Sequence, residues 1–355
     1  MKIVSSPSLI SRDVSTAIKG LLILFIVFGH TGMLNTNYIT GEKTIFYGWL
    51  YTFHVHIFMI LPFIYGYRKP IVSVSNADKT VMDSKLIDVR CVIKDLKHNL
   101  IKIGVPYFWF FIIDALIFVT IAKGEFNLVG MIYAFFFGSQ TLMAKYIGFN
   151  MMWFLPAMLS LLVLKSVWYN SKRVVKYFML AISIVLWLLC IVRVAEMDKV
   201  GLFVPFAISQ GFYYLLMGLL SRWLLEKYSV KKLIPWVLIG IIVMTILFAV
   251  RKYLAFNPFW IIRMIMPILF FILLFACGNI LSKSKLLHFF GTYSLQIYLI
   301  HVIIINVLSI LFIHYTHDSI AVGVIIYLLT LIICSGLSLV LVKLPLINKV
   351  LFPKG

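Results

Sequence analysis

Residues 14–33 read VSTAIKGLLILFIVFGHTGM, and every position from Gly20 to Gly29 in that stretch is apolar or glycine. A helix needs about 20 such residues to cross the hydrocarbon core of a bilayer. The run is long and no small-residue cleavage site follows it, so it reads as a retained anchor rather than a removed signal peptide. Nine further stretches have the same character, approximately 45–67, 100–121, 150–168, 177–194, 202–221, 233–250, 259–281, 292–313 and 320–342. The expected fold is an all-α polytopic integral membrane protein of about ten transmembrane helices, forming a single domain over 1–355. The segment Asn127–Gly138 is apolar but too short to span, and is expected at the interface or re-entering the protein.

Composition excludes most other classes. The 355 residues are 63% hydrophobic and 12% charged, with a mean hydropathy of +1.04, against about 45–50% and about 25% in ordinary soluble domains. A soluble globule, a disordered chain and a secreted disulfide scaffold are ruled out. The 32 Lys and Arg against 12 Asp and Glu leave a net charge of +20. The cations lie mostly between apolar spans, where topology and anionic lipid headgroups account for them and nucleic acid need not. The four cysteines form no CxxC pair and indicate neither a disulfide framework nor a zinc site.

The loops set an orientation. Placing the N-terminus, every second loop and the C-terminus on one side gives that side 21 Lys and Arg and the other side 6, with five inside spans. The positive-inside rule puts the richer side, and both termini, in the cytoplasm. The largest cytoplasmic loop, about 68–99, carries both signs of charge and is expected to be partly helical at the membrane surface.

Ionisable groups inside spans are costly and mark function by default. Lys19 and His30 are eleven residues apart, which returns a helix to within about 20° of its starting direction about 16 Å further on. The two therefore share one face, with the lysine towards the cytoplasm and the histidine towards the outside. His54 and His56 are two residues apart and point to different faces. His301 is mid-span, Asp114 is the sole acidic residue inside a span, and Arg263 lies near an outer end. No histidine boxes occur and carboxylate partners are scarce, so no metal site is expected. Sorted by depth, Lys19 and Lys102 lie towards the cytoplasm, His54 and His301 near the middle, and His30, Asn150 and Arg263 towards the outside. Such a path suits an anionic donor handing a small group outward, and it equally suits a transporter.

The run Ala17 to His30, with Lys19-Gly20 and Gly29-His30, resembles the first span of the acyltransferase family 3 membrane proteins, whose signature is a basic residue, ten intervening residues and histidine. It is most similar to the branch related to fucose 4-O-acetylases. Four further segments match in order: Phe53-His54 through Gly66-Tyr67, Lys102 through Pro106-Tyr107, Trp153-Phe154-Leu155, and Gly291 through His301. The departures are His56, Tyr65 and Thr16, where the family usually has proline, serine and an acidic residue, and they bear on the substrate.

The resemblance implies transfer of an acyl group, usually acetyl, from cytoplasmic acetyl-CoA to a hydroxyl of a surface carbohydrate or its lipid-linked precursor, in the inner membrane of a bacterium. Acetyl-CoA is a co-substrate in this reading, and no permanently bound cofactor is expected. An alcohol nucleophile needs a base, so His30 is the expected general base, with Asp114 the second catalytic candidate. Lys19, Arg68 and Lys102 are candidates for the phosphates of the donor. His54, Asn150, Trp153, Arg263 and His301 are candidates for the acceptor; Trp153, Tyr298 and Phe53 are candidates for stacking on sugar faces, although Trp and Tyr near interfaces are more often anchors and Phe53 more often simply packs. The competing classes are a transporter of an anionic or sugar-linked substrate and a non-enzymatic membrane subunit.

Overall fold

A computed structural model describes residues 8–31, 44–65, 86–191, 206–254, 258–312 and 320–353. In chain order the helices are α1 (Arg12–His30), α2 (Ile45–Leu50), α3 (His54–Ile64), α4 (Val89–Asn99), α5 (Val105–Thr120), α6 (Leu128–Phe137), α7 (Gln140–Ile147), α8 (Phe154–Tyr169) and α9 (Arg173–Ile191). They continue as α10 (Phe206–Lys227), α11 (Val230–Val250), α12 (Phe259–Ala276), α13 (Gly278–Leu281), α14 (Lys285–Thr292), α15 (Ser294–Leu311), α16 (Ile320–Lys343) and α17 (Pro345–Leu351). No strand occurs among the described residues, where Ile87 and Ser171 form an isolated bridge.

Eight stretches of described helix are long and apolar enough to cross a membrane: Arg12–His30, Ile45–Ile64, Val89–Thr120, Met151–Tyr169, Val230–Tyr253, Phe259–Ala276, Ser294–Leu311 and Ile320–Lys343. They coincide with eight of the expected spans. The expected spans 177–194 and 202–221 fall on α9 and α10, whose 19 and 22 residues give lengths of about 28 and about 33 Å. Just 11% of the most apolar window of Val230–Tyr253 is buried, so Ile239, Ile242, Val243 and Ile246 face outward. In water that surface would aggregate. The chain is an all-α membrane protein.

The chain divides into two compact units, one of Met1–Ser8, Tyr65–Leu219 and Leu346–Gly355 and the other of Leu9–Ile64 and Leu220–Pro345. In the first unit, α4 begins inside the expected 68–99 loop and runs on into α5. Asp88 caps it, its Oδ1 accepting from the Cys91 N–H at 3.4 Å. Arg90, Lys94 and Lys97 stay exposed while Cys91 is buried, and Asp95 accepts a 2.5 Å hydrogen bond from Ser166 of α8. The turn between α4 and α5 widens into a π-helical segment, Leu100–Gly104, with the Val105 N–H reaching the Leu100 carbonyl. Pro106 explains it, because proline offers no N–H to the carbonyl four residues back and its ring crowds that carbonyl.

The short apolar segment is a ten-residue helix, α6. Asn127 caps its start, accepting from the Gly130 N–H at 2.7 Å, and Gly138 ends it at φ +64°, a left-handed conformation that glycine adopts without strain. At about 15 Å it reaches half the hydrocarbon thickness.

In the second unit, Ser11 caps α1 by accepting from the Val14 N–H at 3.2 Å, and Asp13 in the first turn favours the helix dipole. The closest packing joins α1 to α14. A Cβ on Gly20 would overlap the Leu287 carbonyl oxygen, and one on Gly291 would overlap the Thr16 carbonyl oxygen. Lipid tails are as apolar as leucine, so close van der Waals approach between small residues supplies the attraction that the hydrophobic effect gives in water. Leu308, Val322 and Ile326 form a separate core between α15 and α16. Arg222, 4% exposed, donates to the Phe63 carbonyl at 2.8 Å and pairs with Glu226 at 2.7 Å, satisfying one of the last carbonyls of α3.

Candidate active site

The glycine crossing sets the register of what lies beyond it. From Gly20 to His30, α1 advances ten residues; from Gly291 the chain also advances ten, through the break at Tyr293 and along α15, to His301. The two histidines meet. His30 Nδ1 lies 2.9 Å from His301 Nε2, with ring centroids 5.1 Å apart.

The proton positions follow from the other nitrogen of His301, which is fully buried. Its Nδ1 is 2.6 Å from the Tyr298 carbonyl and 3.1 Å from the Ile297 carbonyl. Carbonyls accept and cannot donate, so Nδ1 carries the hydrogen and Nε2 the lone pair. His30 Nδ1–H therefore donates to His301 Nε2, and the lone pair of His30 sits on Nε2, the nitrogen turned away from the pair. A half-buried imidazole with its tautomer set in this way is equipped to take a proton.

Tyr51 closes the arrangement on one side. Its hydroxyl donates to the Gly29 carbonyl at 3.3 Å, and its ring lies 6.0 Å from His30 and 4.7 Å from His54. Sequence reading missed Tyr51, although its position three residues before His54 was a legible one-face signal. Arg222 was missed as well, counted there as one more loop cation.

The expected acceptor group separates by partner. His54 is fully buried and donates from Nδ1 to the Leu50 carbonyl at 2.6 Å, while its Nε2 has no partner among the described residues. His56, 2% exposed, accepts from Arg263 Nε at 3.2 Å, so the i, i+2 histidines take different partners, as their spacing requires. Phe53 is 3% exposed and stacks on Phe270 at 4.0 Å, so it packs among neighbouring rings. Lys19 is half-buried on α1, eleven residues below His30.

Other expected residues belong to the first unit. Asp114 is 3% exposed and its Oδ1 has no partner among the described residues. Lys102 is exposed on the π-helical segment, and Trp153 is half-buried with its ring 6.2 Å from Phe154. Asn150 opens the 3-10 turn Asn150–Trp153. Arg68 lies outside the described residues. Among the described residues no group of three or more His, Cys, Asp and Glu could hold a metal ion.

A family model described as an acyltransferase domain, Acyl_transf_3, matches residues 15–339. The chain belongs to acyltransferase family 3. This family 3 protein is thus a membrane acyltransferase by descent, and the transporter and subunit readings give way to the enzyme. Its matched region takes in both histidines of the pair and both glycines of the crossing. No curated protein and no solved structure matches the chain.

Proposed function

We propose that this acyltransferase moves an acetyl group from cytoplasmic acetyl-CoA to a sugar hydroxyl of a surface polysaccharide or its lipid-linked precursor. His30 is the general base. The observation that carries the reading is the 2.9 Å contact between His30 Nδ1 and His301 Nε2, which leaves Nε2 of His30 as the basic nitrogen.

In the proposed reaction the acceptor O–H gives its proton to His30 Nε2 as the oxygen attacks the thioester carbonyl. The tetrahedral intermediate collapses with cleavage of the C–S bond. The departing thiolate recovers the proton from His30, so the products are an acetyl ester and free CoA. While His30 holds the extra proton its Nδ1–H still points at His301 Nε2, and a hydrogen bond from a charged donor is stronger than one between neutral groups. His301 thereby positions His30 and supports its charged form. General base catalysis of this kind contributes about 10²–10⁴-fold.

The finer assignments belong to the same proposal: ten spans with both termini in the cytoplasm of a bacterial inner membrane, and kinship with the fucose 4-O-acetylase-like branch. Lys19, Arg68 and Lys102 serve the donor phosphates, Asp114 assists catalysis, and His54, Asn150, Trp153 and Arg263 line the acceptor, while His301, expected there from the sequence, holds His30 instead.

The test uses purified protein in liposomes with labelled acetyl-CoA and extracted surface glycan. Label is expected on carbohydrate as a base-labile ester and is expected to vanish in His30→Ala, with insertion unchanged. Normal acetylation by a well-expressed His30→Ala protein would sink the assignment.

A further inference from the structure

Arg263 stands on the second turn of α12, inside an apolar span. A guanidinium there is expensive unless something compensates its charge. Its Nε donates to His56 Nε2 at 3.2 Å, and the Trp260 and Phe259 rings lie 5.1 and 5.6 Å from its Cζ. His56 contributes a lone pair and no negative charge. It fixes the direction of the guanidinium without neutralising it. One of five N–H donors is thereby used. The four on Nη1 and Nη2 have no protein acceptor among the described residues of the second unit, and no carboxylate of that unit comes within ion-pair reach.

The surroundings repeat the pattern. Tyr51 bonds to the end of α1 at Gly29, Trp49 donates to Thr245 near the end of α11 at 3.0 Å, and Gly48 faces Phe248. These contacts put the ends of α1 and α11 and the short α2 at one end of the second unit. That end holds His30. Just past α11 come Arg251, whose guanidinium lies 3.7 Å from the Phe248 ring centroid, and Lys252. By the charge count over the loops this is the side poor in Lys and Arg, so cations retained there run against topological preference.

We infer that the Nη1–Nη2 edge of Arg263 is a binding fork for an oxyanion, a phosphate or a carboxylate, aimed by the buried imidazole of His56. A planar guanidinium with both Nη groups open pairs with two oxygens of such a group at once. The fork stands on its own geometry. Its assignment to the acceptor, a sugar that is acidic or carried on a lipid phosphate, rests on the acyl-transfer reading. A phospholipid headgroup offers the same chemistry, and the test separates the two.

Protein in a neutral maltoside is first saturated with CoA, which occupies phosphate sites on the donor side and reports on that reading independently. It is then titrated with inorganic pyrophosphate by calorimetry. A parallel sample in phosphatidylcholine nanodiscs containing phosphatidic acid is scored for retained acidic lipid by native mass spectrometry. Arg263→Lys keeps the charge and loses the fork, and is expected to bind pyrophosphate at least about tenfold more weakly, with His56→Gln between it and wild type. Unchanged CoA affinity and elution volume show that the variants are folded. Arg263-dependent retention of phosphatidic acid without pyrophosphate binding would keep the fork, assign it to a lipid headgroup and overturn the acceptor assignment. Binding of both probes that is indifferent to Arg263→Lys, or binding of neither, overturns the fork itself.

Discussion

The two units hold their candidate site residues in different ways. In the second, His30, His54, His56, His301 and Arg263 each have a named partner at 2.6 to 3.2 Å, and the helix bearing His30 meets α14, which leads directly into the helix of His301, backbone to backbone at Gly20 and Gly291. In the first, Asp114 is buried with an unpartnered oxygen and Lys102 projects from a π-helical turn in the open. A catalytic base must be aimed to within a fraction of an ångström, and aiming needs partners on rigid supports. The second unit has that construction around His30. Exposed cations such as Lys102 can instead attract a phosphate without being aimed at all.

The largest effect expected from breaking this contrast is at His301. His301→Ala removes the acceptor for His30 Nδ1–H and frees the ring, and kcat is expected to fall by about 10²-fold or more. His301→Gln, whose side-chain oxygen also accepts a hydrogen bond, is expected to recover part of that loss while CoA affinity stays constant in both. Equal rates in the two variants would show that His301 acts by packing alone.

Next in size is the crossing. Gly291→Ala drives a methyl group into the Thr16 carbonyl, and overpacking of this kind costs about 1–3 kcal/mol. A lower thermal midpoint together with a kcat loss is the expected outcome. Gly336→Ala is the control, since nothing lies within 4 Å of a Cβ at that position, and it should change neither. The smallest effect is at Lys102, whose removal is expected to raise the KM for acetyl-CoA by about threefold with kcat intact, in keeping with an exposed, screened charge. A larger loss in kcat at Lys102 than at His301 would reverse the comparison.

Much of this was legible in the sequence. Eight of the expected spans were, because an apolar run long enough to cross a bilayer has few other uses, and Asn127 and Gly138, which end the short apolar segment in the sequence, are the residues that cap α6. Helix was expected in part of the 68–99 loop, but its start at Val89 was not located, since Arg90, Lys94 and Lys97 interrupt the pattern while the side carrying the buried Cys91 and half-buried Asp95 holds too few apolar residues to show. Lys19, His30 and His301 were legible as improbable polar groups in apolar runs. Their partners were not, because 271 residues separate the paired histidines and no periodicity reports on a contact that distant. Gly20 and Gly291 were visible as letters of motifs, but the carbonyls that exclude a side chain there come from other helices.

The separation of the histidines in sequence also has a consequence in time. A ribosome adding about 5–20 residues per second delivers His301 some fifteen to fifty seconds after His30. Throughout that interval the first helix already lies in the bilayer without the ring that aims its histidine. On the proposed reading, a nascent or truncated chain holds its base unaimed, and efficient acyl transfer waits on the insertion of α14 and α15.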